Sequence, residues 1–276
     1  MATSNEELSN KLVVNGAAVK PSSLVGGMKS WFYGGNGKEG KFPNIVQLCG
    51  SEEQAKRLFV SCMVYITSRP QLMACDPKSL QSCLMQCATL NLLPGVLNEA
   101  DFLVFKNVAT FCPGYQGIAK LAIQGGTITN ISSQVVYEKD VFDYEEGSEP
   151  RITFKKSLGP QRERGERVCA FAIATLTNGT KKFEIITPDQ WMAVKAKSKG
   201  ANSEYSPWSM AEKDPFSFDW MIRKTAVKQL CKLIPKSASD MNLARAIALD
   251  NNAEVPNAAD NTMSLPVFEE TEFESE

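Results

Sequence analysis

The sequence predicts a mixed chain of helices and antiparallel hairpins, helical towards its two ends and strand-rich between them. Three observations predict it. Residues 51–90 hold two capped segments with apolar residues three and four apart. Alternating apolar runs at 168–177 and 181–186 meet at Asn178-Gly179, a strong hairpin signal. Asp214-Pro215 then opens a long helix that Pro235 stops.

Residues 1–41 are polar, with glycines at 34, 35, 37 and 40, and are expected to form a flexible N-terminal arm or an oligomer contact. Ser51 and Gln54 have the spacing of a capping box and open a helix running towards Ser68. Asp76-Pro77 starts a second helix that ends near Leu90, ahead of Pro94-Gly95. Residues 102–106 and 108–112 read as a hairpin, and Pro113 begins a helix that Gly125-Gly126 stops. Strands follow at 127–137 and 152–154, before the Asn178-Gly179 hairpin. Thr187-Pro188-Asp189-Gln190 caps a helix carrying Trp191. A loop with Tyr205 and Trp208 leads to the helix from about Phe216 to Leu233, and residues 239–249 read as a further short helix. The expected division is an arm at 1–41, a core at 42–237, and a short helix with a disordered acidic tail at 238–276.

With 276 residues, 43% of them hydrophobic, the chain can bury a sizeable core. It has no run of about 18 apolar residues and no charged-then-apolar leader, so a soluble cytosolic protein without a membrane role is expected. Eight cysteines without a CxxC pair read as reduced core thiols. The absence of histidine removes most zinc patterns together with Ser-His and Cys-His catalysis. No metal, cofactor or covalent catalytic group is expected.

The net charge of −1 hides a segregation. Residues 251–276 contain seven acids and no Lys or Arg, which leaves +6 on the preceding residues. Residues 151–182 hold eight bases against two acids, and residues 195–236 nine against four. Those stretches form the electrostatic footprint of a polyanion binder.

In the helix 216–233, Ile222, Ala226, Leu230 and Leu233 share one face, while Lys224, Lys228 and Lys232 form a row on another beside Arg223. The row reads either as a solvated face or as contacts to a nucleic-acid backbone. In both readings the lysines are expected to tolerate replacement with little loss of stability. Aromatic residues interleave with bases: Tyr115 beside Lys120, Trp191 before Lys195, Lys197 and Lys199, and Tyr205 and Trp208 before Arg223. A cationic groove with stacking aromatics is the physics of sequence-independent single-strand binding, although each ring alone also fits a core. At Pro113–Gly117, helix-start amides and two glycines would let a phosphate approach closely.

Two enzymatic readings are weaker. Gly35–Lys41 satisfies GxxxxGK, but Phe42 occupies the place of the magnesium-binding hydroxyl and no apolar strand precedes it, so a flexible glycine-rich linker fits better. A metal-dependent nuclease would need clustered carboxylates, for which Asp140 and Asp143 are the best pair.

Between about Cys75 and Ser237 the chain resembles the RecT/Redβ family of phage single-strand annealing proteins, its RecT branch above all. The resemblance rests on Asp76-Pro77, Leu92-Leu93-Pro94-Gly95, Pro113-Gly114-Tyr115-Gln116-Gly117, Val136-Tyr137-Glu138-Lys139-Asp140, Pro207-Trp208 and Met221-Ile222-Arg223-Lys224-Thr225 leading to Leu233-Ile234-Pro235. Gln116 stands where many relatives carry a base. The resemblance implies an α+β fold, with a curved antiparallel β-sheet and hairpins backed by helices. It also implies an ATP-independent protein that binds single-stranded DNA, anneals it to duplex and assembles as a ring or helical filament in the bacterial host cytoplasm. Its implied partners are a 5′→3′ exonuclease and the host single-strand-binding protein. Expected DNA contacts are Arg223, Lys224, Lys228, Lys232, Lys195, Lys197, Lys199, Lys120 and Gln116 for phosphates, with Tyr115, Tyr205 or Trp208 supporting bases. A plain nucleic-acid-binding module without annealing activity is the other reading.

Overall fold

The computed structural model describes residues 13–14, 17–18, 21–35, 37–95, 97–147, 150–198, 201–202, 206–210, 213–234 and 240–254. The expected acidic tail lies outside these residues. The first part is helical: α1 (Pro21–Tyr33), α2 (Phe42–Cys49), α3 (Glu52–Thr67), a single turn at Pro70–Met73, and α4 (Pro77–Leu90). Each expected cap is present. Ser51 accepts from the Gln54 amide at 3.2 Å, and Asp76 accepts from the Ser79 amide at 3.0 Å.

The flexible arm needs correction for residues 21–41. Leu24, Met28 and Phe32 recur every four residues along α1 and are buried, and the Phe32 ring stacks on Phe59 of α3 at 4.1 Å. Two glycines and three serines give α1 poor intrinsic propensity, so its apolar face holds it rather than its composition. The glycine-rich segment after it is a tight turn in which Gly34–Gly35 pairs with Lys38–Glu39. A Cβ on Gly40 would sit 2.2 Å from the Gly34 nitrogen, so close backbone approach explains this glycine.

A hairpin follows, β1 (Ala100–Phe105) with β2 (Val108–Pro113). Its two turn residues, Lys106 and Asn107, both have positive φ, 49° and 64°, as a two-residue type I′ turn requires. Pro113 closes this ladder opposite Ala100 instead of starting a helix, and α5 (Tyr115–Gln124) begins after Gly114.

The central sheet has the order β7-β6-β3, all antiparallel, from β3 (Ile128–Tyr137), β6 (Arg167–Leu176) and β7 (Lys181–Ile186). Alternation along β6 sorts its two faces. Ala170, Ala172 and Ala174 point towards α7 (Pro215–Leu233), where their small size admits a helix at close range. Cys169, Phe171 and Ile173 point the other way, against Phe142, Ile152 and Phe154 of a second hairpin, β4 (Val141–Glu145) and β5 (Arg151–Lys155). The Asn178-Gly179 turn is a three-residue loop with Gly179 at φ 81°, its amide bonded to the Leu176 carbonyl at 2.9 Å.

After β7 in sequence comes α6 (Pro188–Lys197), with the expected Thr187–Gln190 capping box. The last described element, α8 (Met241–Glu254), buries Leu243, Ala246 and Ile247 and packs on β2 and α5. The helix expected at 239–249 is thus present, slightly longer, and belongs to the body rather than beginning a tail. Helices and small antiparallel sheets make a mixed architecture, as expected.

Candidate nucleic-acid interface

A cleft of about 1240 Å³ runs between α3, the 93–98 turn, the start of α5 and the first half of α7. One wall is aliphatic. Val60 and Val64, one helical turn apart on α3, are 57% and 62% exposed, and Leu97 faces the same space. Arg57 on α3 and Arg69 just past its end flank the valines, and the Arg69 guanidinium lies 3.7 Å over the Tyr65 ring. The opposite wall is aromatic, with Tyr115 and Trp220 edge to face at 5.2 Å. The Arg223 guanidinium stacks 4.0 Å over Trp220 and lies 5.4 Å from Tyr115. Buried Ser133 ties both residues to β3: its hydroxyl lies 3.4 Å from the Tyr115 hydroxyl and accepts from Arg223 Nε at 3.4 Å. A half-exposed indole carrying a guanidinium on its face, beside a tyrosine, suits base stacking combined with phosphate attraction.

Trp220 is the residue that sequence reasoning missed. It falls two positions after Phe218 in DPFSFDW, where a run of aromatic residues reads as core. Only the rotation of α7, set by Phe218, Ile222 and Ala226 on the sheet side, reveals that Trp220 faces the cleft. Arg57 and Arg69 were equally unmarked, because both lie ahead of the basic stretches.

The lysine row of α7 needs correction. Lys224 and Lys228 are buried, Lys224 at the inner end of the cleft, and share one carboxylate of α8, Asp250, with Nζ–O distances of 2.5 and 2.6 Å. Burial alone would raise the Asp250 carboxyl, but the Lys224 and Lys228 ammoniums hold it below its ordinary value. Cys112 of β2 lies 3.5 Å from Lys224 Nζ, and burial pushes its thiol up to about 12. The row therefore divides. Lys232 alone is exposed, bonded to Gln229 at 3.2 Å, because the turn that carries it lies beyond the reach of α8.

Other expected contacts also separate. Lys120 is committed to Glu99 at 3.0 Å and to the Asn91 carbonyl at 2.8 Å, where it fastens the 91–99 turn to α5. Trp208 is 2% exposed and packs edge to face on Phe218 at 5.6 Å, a core residue rather than a platform. Gln116 is exposed and lines the cleft. Lys195 is half-buried 5.8 Å from the Phe218 ring, and Lys197 is exposed at the end of α6. Lys199 and Tyr205 lie outside the described residues. The glycines of Pro113–Gly117 serve chain packing: a Cβ on Gly114 would meet the Asn98 carbonyl at 2.1 Å, and one on Gly117 the Glu99 carbonyl at 2.0 Å. The space expected for a phosphate is filled by backbone.

The carboxylate pair of the nuclease reading does not form a centre. The Asp140 side chain is buried and accepts from the Tyr137 amide at 3.0 Å, the Ser157 amide at 2.9 Å and both Nε and Nη2 of Arg164. Burial opposes ionisation, but the Arg164 bonds prevail and lower its pKa. Asp143 is exposed on β4. No group of three or more metal-ligating side chains occurs among the described residues.

The family model described as the RecT family matches residues 57–263. The chain is 31% identical over 206 residues to protein RecT of Escherichia coli (strain K12), and the alignment covers 71% of each protein.

Proposed function

The chain belongs to the RecT family and shares its role in phage-type single-strand annealing recombination, and from that premise we propose how it acts. Single-stranded DNA lies along the cleft, its phosphates drawn by Arg57, Arg69 and Arg223 and a base resting on Trp220 or Tyr115. The observation that carries this reading is the Arg223–Trp220–Tyr115 stack, whose two rings line an open cleft. Lys195, Lys197 and Lys232 extend the basic surface, and Lys199 and Tyr205, which fall between α6 and α7 in sequence, are further candidates. Bases held in an extended row reach register with a complementary strand at lower entropic cost, and pairing of the two strands supplies the driving force. Neither ATP nor covalent catalysis is required.

Annealing along a strand calls for many copies side by side, so a ring or helical filament that continues a curved sheet is part of the proposal. A 5′→3′ exonuclease would supply the single strand, the host single-strand-binding protein would hand it over, and both would meet the chain in the host cytoplasm. No helix among the described residues is long and apolar enough to cross a membrane.

Fluorescence-monitored pairing of two complementary oligonucleotides without nucleotide tests the reading. The parent protein should accelerate pairing, and Arg223→Ala and Trp220→Ala should slow it at unchanged melting temperature. Binding without acceleration would leave a plain binding module. Magnesium-dependent shortening of the oligonucleotide would restore the nuclease.

A further inference from the structure

The cleft has an unusual mixture for a polyanion site, with solvent-facing valines and a leucine next to arginines. Val60, Val64 and Leu97 are each at least half exposed on one wall, and an aliphatic wall gains little from a phosphate backbone. An occupant that fits must carry both acids and apolar side chains. Residues 255–276 have that composition: six acids, no Lys or Arg, and Leu265, Val267, Phe268 and Phe273 among them. Their point of departure also fits. Asp250 lines the inner end of the cleft, and α8 ends one turn later at Glu254, so the chain leaves the fold beside the cleft. At about 3.3 Å per extended residue, the fourteen residues from Val255 to Phe268 span up to about 46 Å.

We propose that, without DNA, residues 255–276 dock in this cleft, their carboxylates on Arg57 and Arg69 and their phenylalanines on the Val60–Val64–Leu97 wall. The segment then competes with single-stranded DNA and favours release of the finished duplex. The proposal rests on the reading of the cleft as the DNA site. Asp250 already shows the local preference, since a carboxylate from the same helix is the group that Lys224 and Lys228 hold.

The test uses the full chain with Glu269, Glu270, Glu272 and Glu274 changed to Gln and Phe268 and Phe273 to Ala. Its oligothymidine affinity should exceed that of the parent several-fold near 0.01 M salt, where screening extends over about 30 Å, and match it near 1 M. A fluorescent peptide of residues 255–276 should bind this variant, be displaced by oligothymidine, and bind at least tenfold more weakly when Arg57→Glu and Arg69→Glu are added. Equal low-salt affinities, or a peptide that does not bind, overturn the proposal. Peptide binding that neither oligothymidine nor the arginine changes affect overturns its location. If the arginine changes abolish peptide binding but leave oligothymidine binding intact, docking stands and the cleft is not the DNA site.

Discussion

Replacing Asp250 with Ala strips two buried ammonium groups of the carboxylate they share, and losing one member of a buried ionic group typically costs about 3–5 kcal/mol. Lys232→Ala, one turn further on the same helix and exposed, should change stability by less than about 0.5 kcal/mol. Denaturant unfolding of the two variants side by side checks this, and equal effects would remove the buried trio from the account. Acid should act on the same groups. Asp140 and Asp250 both have pKa values lowered from 3.8, so their contribution is complete above the ordinary carboxylate range. It is lost as the pH falls through the lower folded values. Stability should therefore drop steeply below about pH 4, and the drop should be shallower in Asp140→Asn, as denaturant unfolding between pH 7 and 2 would show. The two tryptophans of this region divide by burial. Trp208→Ala should cost about 3–5 kcal/mol of stability, whereas Trp220→Ala should cost about 1–3 kcal/mol of DNA affinity with little change in melting.

Among the elements, α8 has the largest consequence for where the chain can be cut. A fragment ending at residue 237 keeps α7 but loses Asp250 and the Leu243–Ala246–Ile247 face, and it should fail to melt cooperatively by circular dichroism. Gly114→Ala and Gly117→Ala should lower the melting temperature, since each Cβ meets a carbonyl near 2 Å, and should leave the salt dependence of DNA binding unchanged. Local chemistry explains which elements could be read in advance. Ser51, Asp76, Thr187 and Asp214 announce helix starts because a cap is formed by residues three apart in sequence. The helix α1 carries no such mark, and the hairpin β4–β5 is held by Phe142 and Phe154 against Phe171, contacts with no counterpart at short range.

For the molecule as a whole, the basic character of α7 was legible, but the direction in which its bases point was not. A row of lysines at four-residue spacing fixes one face of a helix and leaves its surroundings open. Here α8, which follows in sequence, covers two of the three lysines and leaves the exposed cations elsewhere. If Arg57, Arg69 and Arg223 each meet a phosphate, replacing one by Ala should flatten the logarithmic salt dependence of single-strand binding by about 0.7. Titration of oligothymidine at several salt concentrations measures the slope, and three unchanged slopes would move the DNA path away from the cleft.

The eight cysteines bear on how such an experiment could be watched. All are thiols, seven are buried, and burial pushes Cys75 and Cys169 up to about 11 and Cys112 to about 12, which leaves almost no thiolate at neutral pH. The native protein should thus react sluggishly with maleimides although its sequence is cysteine-rich. A single cysteine placed on the surface, as in Lys197→Cys, would then take a dye selectively without prior removal of the others. The chain comes already prepared for site-specific labelling, and Ellman titration before and after denaturation would measure how well.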